Sequence, residues 1–128
     1  MNPKIKPIET KYRGYRFRSR LEARWAVFLH QYGIDFEYEL EGFRMPSGRR
    51  YLPDFLLTKQ KVFVEVKPTK DLGDEDIRKM VEFAADCDRQ LLLIIGSPTK
   101  EEMFLVSRRS MMSLTELEQF LEEGETIL

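Results

Sequence analysis

Cysteine and histidine are almost absent from this sequence, with one residue of each among 128. Cys87 cannot form a disulfide within the chain, and it has no second cysteine or nearby histidine with which to build a zinc site or a thiol active site. His30 falls late in a predicted helix and is interpreted as a surface or packing residue. The sequence therefore argues against chemistry that depends on either residue type.

Long apolar runs and glycine-rich loops are missing as well. No segment approaches the roughly 20 apolar residues that a membrane-spanning helix needs, and the N-terminus lacks the apolar core of a secretory signal. We therefore expect a cytoplasmic protein without a membrane partner. Because there is no glycine-rich phosphate loop, we expect no nucleotide cofactor. A hydrophobic content of 42% in 128 residues is enough for one core, which predicts a single domain.

Charge is unevenly distributed, although its sum is only -1. Residues 1–24 contain 8 basic and 2 acidic side chains, whereas residues 71–128 contain 6 basic and 14 acidic ones. Blocks of one sign are commonly solvated faces. The basic segment 11–20, however, alternates arginines with aromatic rings, which can stack on bases or pack on the domain. The arginines considered as nucleic-acid contacts are Arg13, Arg16, Arg18, Arg20 and Arg24.

Hydrophobic periodicity predicts a mixed α/β fold. The predicted order is an extended basic arm, a helix over 19–32 that ends at Gly33, strands over 35–40, 51–57 and 61–66, a helix over 74–88, a strand over 91–95, a possible edge strand over 104–106, and a helix from Ser113 to about Glu123. The apolar face of the first helix is predicted to contain Leu21, Trp25, Phe28, Leu29 and Tyr32. The second and third strands are expected to form a hairpin, and the continuous run over 91–95 is typical of a strand covered on both faces.

Acidic residues interrupt two of these strands where an apolar core is expected. Because side chains alternate along a strand, the valines of 62–66 share one face, and Glu65 and Lys67 project from the other. If the hairpin register allows it, Asp54 lies near Glu65 on that second face. Two such carboxylates repel unless a proton or cation separates them, and Mg²⁺ prefers oxygen ligands of this kind. An adjacent ammonium group can orient a metal-bound water and offset charge on a phosphate.

Two short motifs carry a resemblance to a known family. The dipeptide at 53–54, PD, and the tripeptide at 65–67, EVK, resemble the signature of the PD-(D/E)XK nuclease superfamily. Together with FRSRLEARWA, EYE, YLPDF and VEVKP, they are similar to the endonuclease subunit of cut-and-paste transposases and to small phage or mobile-element nucleases. The resemblance covers about 12–95 and implies a restriction-endonuclease-like core. This core has a central four-stranded mixed sheet flanked by helices, in the order αβββαβ, followed here by the C-terminal helix.

The resemblance also implies a division of the chain and a role for several residues. A single nuclease domain over 1–128 would comprise a basic arm (1–18), the core (19–95), and an edge strand and helix (96–128). Asp54 and Glu65 would ligate Mg²⁺, or Mn²⁺ in its place, together with the backbone carbonyl of Val66. Lys67 would position the attacking water, and Glu22 would bind a second ion or a metal-bound water.

A simpler interpretation stays open for each of these residues. Asp54 can be a turn residue, and Glu65 with Lys67 can form a solvated ion pair worth at most about 1 kcal/mol. Glu22 follows Ser19 by three positions, the spacing of a capping box at a helix N-terminus.

Two functions follow from the sequence. The first is a metal-dependent DNA endonuclease in a bacterial or phage-infected cell. The alternative is a non-catalytic nucleic-acid-binding or assembly module on the same fold, suggested by the basic N-terminal segment. Because one active site cuts one strand and the chain is short, a homodimer or a partner recombination protein is expected for double-strand cleavage.

Overall fold

The computed structural model describes residues 10–12, 14–39, 41–86, 89–106 and 111–113, the first and last of these as backbone only. The helices are α1 (Arg20–Gln31) and α2 (Asp74–Ala85), and the strands are β1 (Thr10–Tyr12), β2 (Tyr15–Phe17), β3 (Phe36–Tyr38), β4 (Phe43–Arg44), β5 (Arg50–Tyr51), β6 (Phe55–Leu57), β7 (Val62–Lys67), β8 (Leu91–Ile95), β9 (Glu102–Val106) and β10 (Met111–Ser113).

One mixed sheet organises the described part of the chain, with the strand order β10-β9-β8-β7-β6-β3. The pair β7 and β8 is parallel and is joined through α2, while the other pairs are antiparallel. The predicted α/β class and the mixed sheet are confirmed, and each of the four predicted core segments contributes a strand to this sheet. Four strands were nevertheless too few, because β9 is a full partner of β8 and is in turn paired with the short β10. The restriction-endonuclease-like assignment of this core stays a prediction.

The prediction of one strand over 51–57 is wrong. Its first part, β5, pairs with β4 in a separate hairpin closed by the turn at 46–48, where Gly48 has a φ of 90°. Its second part, β6, pairs with β7 through the turn at 58–61, so the predicted β6–β7 hairpin is confirmed. The interruption falls at Pro53, which has no N–H to donate to a ladder.

The N-terminal segment is also less extended than predicted. Strands β1 and β2 form an antiparallel hairpin in contact with α1. The Phe17 side chain is fully buried, and the Tyr15 ring packs on Phe36 and Tyr38. These two rings therefore pack on the domain rather than standing free for base stacking. Residues 1–9 and Cys87 lie outside the described residues, as does the predicted C-terminal helix beyond Ser113.

Each face of the sheet carries a helix and a core. On one face α1 packs against β6 and β7, and the buried residues of this core include Trp25, Ala26, Leu29, Phe55, Val64 and Val66. On the other face α2 packs against β8, with Met80, Phe83, Leu91, Leu93 and Ile95 among the buried residues. Strand β8 contributes to both cores, which confirms the prediction for the run over 91–95.

Helix α1 has a defined cap at each end. At its N-terminus Ser19 Oγ accepts from the Glu22 N–H at 3.1 Å, and at its C-terminus Gly33 adopts a φ of 69° while its N–H donates to the His30 carbonyl. Tyr32 is 70% exposed, so its predicted place on the apolar face is wrong. Within the described residues neither helix is long and apolar enough to cross a membrane.

Replacing Gly33 by alanine is expected to destabilise the fold. A side chain at φ 69° is strained although no atom lies within 4 Å of the added Cβ, so the cost should be the backbone term of about 1–2 kcal/mol. Urea unfolding of Gly33→Ala measures it. Gly42→Ala is the matched control, because Gly42 lacks a positive φ and its added Cβ makes only an ordinary contact, at 3.9 Å. Equal unfolding free energies for the two variants would contradict this account.

Candidate functional site

The candidate site lies where the β6–β7 ladder ends. Phe55 faces Val64 in the register, and one further step places Asp54 opposite Glu65. Side chains opposite each other in an antiparallel pair share a face, and here the carboxyl groups of Asp54 and Glu65 hydrogen-bond to each other. Instead of a ladder bond, the Val66 N–H donates to Asp54 Oδ2 at 2.7 Å. The sequence left this register open, and the structure brings the two acids together.

The backbone of Val66 is part of this opening. The Phe63 N–H and the Lys67 carbonyl bond toward β8, so the intervening Val66 directs its own N–H and carbonyl toward β6. The residue opposite is Pro53, which cannot donate a hydrogen bond to that carbonyl. The Val66 oxygen therefore receives no ladder hydrogen bond from Pro53.

Two tyrosines hold the other acids in place. Tyr51 Oη donates to Glu65 Oε1 at 2.5 Å, and Tyr38 Oη donates to Glu22 Oε1. The Glu22 N–H bonds to Ser19 as in a capping box, but the Glu22 carboxylate bonds to Tyr38 of β3. Both tyrosines are neutral donors, so they orient the carboxylates without cancelling their charge. Such second partners are typical of metal-ligating groups.

Burial and repulsion act on the same carboxylates. The exposed fractions are 2% for Asp54, 7% for Glu65 and 9% for Glu22. Burial first, then the charges of Glu65 and Glu22, raise the pKa of Asp54 well above its usual range. Burial likewise raises the pKa of Glu65, against the opposing effects of Tyr51 and Lys67. Asp54 and Glu65 therefore favour a shared proton, or a cation that replaces it.

The donor set fits a hard divalent cation. Mg²⁺ is usually bound through one or two carboxylates and keeps several waters. Asp54 accepts hydrogen bonds at both oxygens, from the Val66 N–H and from Arg18, and Glu65 accepts from Tyr51 at one oxygen. The Val66 carbonyl follows Glu65 on β7. Across the described ranges, no group of three or more acidic, histidine or cysteine side chains could hold an ion. Glu22 is therefore near the pair without completing such a group.

Lys67 lies between two acids at the edge of this site. Its Nζ is 3.7 Å from Glu65 Oε2 and 3.7 Å from Asp76 Oδ2, and its side chain is 27% exposed. Asp76 belongs to the first turn of α2, where the sequence indicated only an acidic helix start. The ammonium group is thus held beside Glu65 while keeping access to solvent.

Arg18 is the predicted arginine that the structure brings to the carboxylates. Its Nη2 lies 3.5 Å from Asp54 Oδ1 and forms an ion pair with Glu39. Glu39 was not predicted as a site residue. It follows β3 with a φ of 46°, and burial raises its pKa. Among the other predicted arginines, Arg16, Arg20 and Arg24 are exposed, and Arg13 lies outside the described residues.

A cleft of about 740 Å³ opens beside Glu65 and Lys67. Its lining carries five basic and two acidic side chains. These are Arg18, Arg44, Arg50, Lys67 and Lys79, with Glu65 and Asp76. Three of the basic residues come from the β4–β5 hairpin and α2, which the sequence did not connect with the site.

Neutralising the buried acids should stabilise the metal-free protein at neutral pH. A carboxyl whose folded pKa is raised contributes stability below its unfolded pKa of about 4, and this stability is lost as the pH rises through the folded value. Asp54→Asn and Glu65→Gln remove that loss while keeping an acceptor for Val66 and Tyr51. Each unit of pKa shift is worth about 1.4 kcal/mol.

Urea unfolding in EDTA, at pH 4 and pH 7, measures this effect. Both variants should gain on the wild type at pH 7 and much less at pH 4. The control Asp35→Asn removes an exposed acid paired with Lys59 and should change stability by less than about 1 kcal/mol. A loss of stability at pH 7 in both site variants would refute the proposed repulsion.

Comparison with known proteins leaves the family of this chain open. No protein-family model matches the chain, and neither a curated protein nor a solved structure matches it. The site described above is therefore argued from its own geometry, and the resemblance to PD-(D/E)XK nucleases stays a prediction.

Proposed function

We propose that this chain is a Mg²⁺-dependent endonuclease that hydrolyses phosphodiester bonds in DNA. The observation that carries the proposal is the buried pair of Asp54 and Glu65, whose carboxyl groups interact directly and whose pKa values are both raised. Lys67 is beside Glu65, and most of the charged side chains that line the adjoining cleft are basic. A buried acid at the wall of this cleft, Glu65, with Asp54 hydrogen-bonded to it, suits a reaction in which a cation and a phosphate meet.

Asp54, Glu65 and the Val66 carbonyl would hold the ion. Bound there, Mg²⁺ would acidify a water molecule and offset negative charge on the phosphate. The Tyr51 hydroxyl keeps Glu65 in its orientation, and the Val66 N–H does the same for Asp54. These contacts prepare the ligands before the ion or the DNA arrives.

Lys67 and Arg18 act on the substrate side. Lys67 donates to the attacking water and stabilises the negative charge that develops on the phosphate, while Asp76 and Glu65 limit its motion. Arg18 is 57% exposed and lies next to Asp54, so its guanidinium can contact a phosphate oxygen at the reacting end of the cleft. Glu22, fixed by Tyr38, would act through a water molecule.

The alternative function is a nucleic-acid-binding or assembly module without catalysis. The basic cleft is compatible with it. The carboxylates are not, since buried acids at a phosphate site weaken binding unless a cation joins them. The endonuclease proposal also includes a phage or mobile-element origin. It further includes a homodimer or a recombination partner for double-strand cleavage.

Cleavage assays test the proposal directly. Supercoiled plasmid, branched DNA and single-stranded DNA are incubated with Mg²⁺, Mn²⁺ or EDTA. Glu65→Gln and Lys67→Ala should each reduce the rate by about 10²-fold or more, because they remove a ligand and a water-positioning group. Lys70→Ala, which removes an exposed lysine paired with Glu102, should cleave like the wild type. Equal activity in all four proteins, or no activity with any substrate and metal, would overturn the proposal.

Metal binding has a separate signature in stability. Mg²⁺ or Mn²⁺ should raise the thermal midpoint, by the equivalent of about 2.7 kcal/mol at 100 times the dissociation constant. The gain should grow as pH rises, because raised carboxyl pKa values make protons compete with the ion. Thermal melts from pH 5 to pH 8 check this. Glu65→Gln should show little gain at any pH, and an equal gain in this variant would place the ion elsewhere.

A further inference from the structure

The β4–β5 hairpin places two guanidinium groups opposite each other. Arg44 and Arg50 are direct partners in the ladder, and both are exposed. Like charges at directly opposed positions destabilise a strand pair. Within the described ranges neither arginine is ion-paired with an acid, although acids of α2 are close by.

Three of the acids on α2 are already engaged by other cations. Arg49, the neighbour of Arg50, is paired with Glu75 and Glu82, and Asp76 is paired with Lys67. The hairpin is therefore fixed to α2 through Arg49, while its two opposed arginines keep an uncompensated charge. An arginine pair of this kind is suited to an anion from outside the protein.

The cleft connects this arginine pair with the candidate active site. Arg44 and Arg50 line it together with Lys79, and Lys67 lines it beside the candidate active site. The same cleft is also lined by apolar side chains, among them Phe43 and the 37% exposed Leu52. A cleft lined by both cations and apolar side chains matches a nucleic-acid strand, in which phosphates alternate with sugars and bases.

We propose that Arg44 and Arg50 clamp a backbone phosphate of the nucleic-acid strand in this cleft, away from the phosphate that is cleaved. The inference rests on the proposed function only in taking nucleic acid as the ligand; it does not require cleavage. It differs from the expectation drawn from the N-terminal arginines, because the clamp belongs to the β4–β5 hairpin, which contacts α2. Guanidinium groups can each offer two donors to phosphate oxygens, so both arginines can bind one phosphate.

Equilibrium binding in EDTA tests the clamp without turnover. The affinity of a fluorescent single-stranded DNA for Glu65→Gln protein is measured over a series of salt concentrations, with and without the added pair Arg44→Gln/Arg50→Gln. Loss of one phosphate contact should lower the affinity about tenfold and reduce the slope of log K against log salt by about 0.7. The thermal midpoint should not fall, since a repulsive pair has been removed.

The control pair is Lys59→Gln/Lys61→Gln, which removes the same charge from the β6–β7 turn at the far end of that hairpin from Asp54. It should leave affinity and slope nearly unchanged. Equal losses in the two pairs, or no binding by the parent protein, would overturn the clamp. If Arg44→Gln/Arg50→Gln bound DNA normally and the wild-type protein cleaved DNA, the clamp would be refuted and the proposed function would stand. If Arg44→Gln/Arg50→Gln lowered the affinity but the wild-type protein cleaved no DNA, the clamp would stand and the proposed function would fail.

Discussion

The hydrogen bond from the Val66 N–H to Asp54 Oδ2 stands where a sheet ladder should continue. Pro53 cannot supply the next ladder bond, so β6 begins one residue after Asp54 and the two strands part there. The Asp54 carboxylate accepts the hydrogen bond that the Val66 N–H would otherwise donate within the ladder. This single exchange puts an acid in the interior, aims it at Glu65 and leaves a carbonyl without its usual donor.

The surrounding core makes so unfavourable an arrangement tolerable. Both faces of the sheet bury aromatic and aliphatic side chains around β7, and Trp25 Nε1 ties α1 to the Gly96 carbonyl at 2.8 Å. The tyrosines that hold Glu65 and Glu22 are themselves buried in these cores. Because a tyrosine hydroxyl is neutral, the acids are positioned while their mutual repulsion persists. An arginine or lysine in either place would have satisfied the acid and reduced its attraction for a metal ion.

Local patterns in the sequence predicted the elements whose signal is local. The alternation of valines in 62–66 gave the two faces of β7, and the spacing of Ser19 and Gly33 gave the ends of α1. The approach of Asp54 to Glu65 required a register that the sequence left open. Pro53 was treated as part of a motif, and its effect on the ladder was missed, so the split between β5 and β6 was missed with it.

Other site residues carried no local signal at all. Tyr51 and Tyr38 meet their acids across 14 and 16 positions of chain, and Asp76 reaches Lys67 from another element. The opposed pair of Arg44 and Arg50 depends on a two-residue strand pairing too short to produce a period. Such contacts arise from the packing of the elements, so sequence patterns within one element cannot reveal them.

Tyr51 belongs at once to the hairpin that carries Arg50 and to the hydrogen bond that orients Glu65. If both proposals hold, a ligand that shifted the hairpin would also shift a carboxylate of the candidate metal site. Thermodynamic linkage would make the effect reciprocal: occupancy of the hairpin by an anion and occupancy of the carboxylates by a cation would change each other's affinity by the same factor. The Tyr51 hydroxyl is thus one physical connection between the two proposed sites.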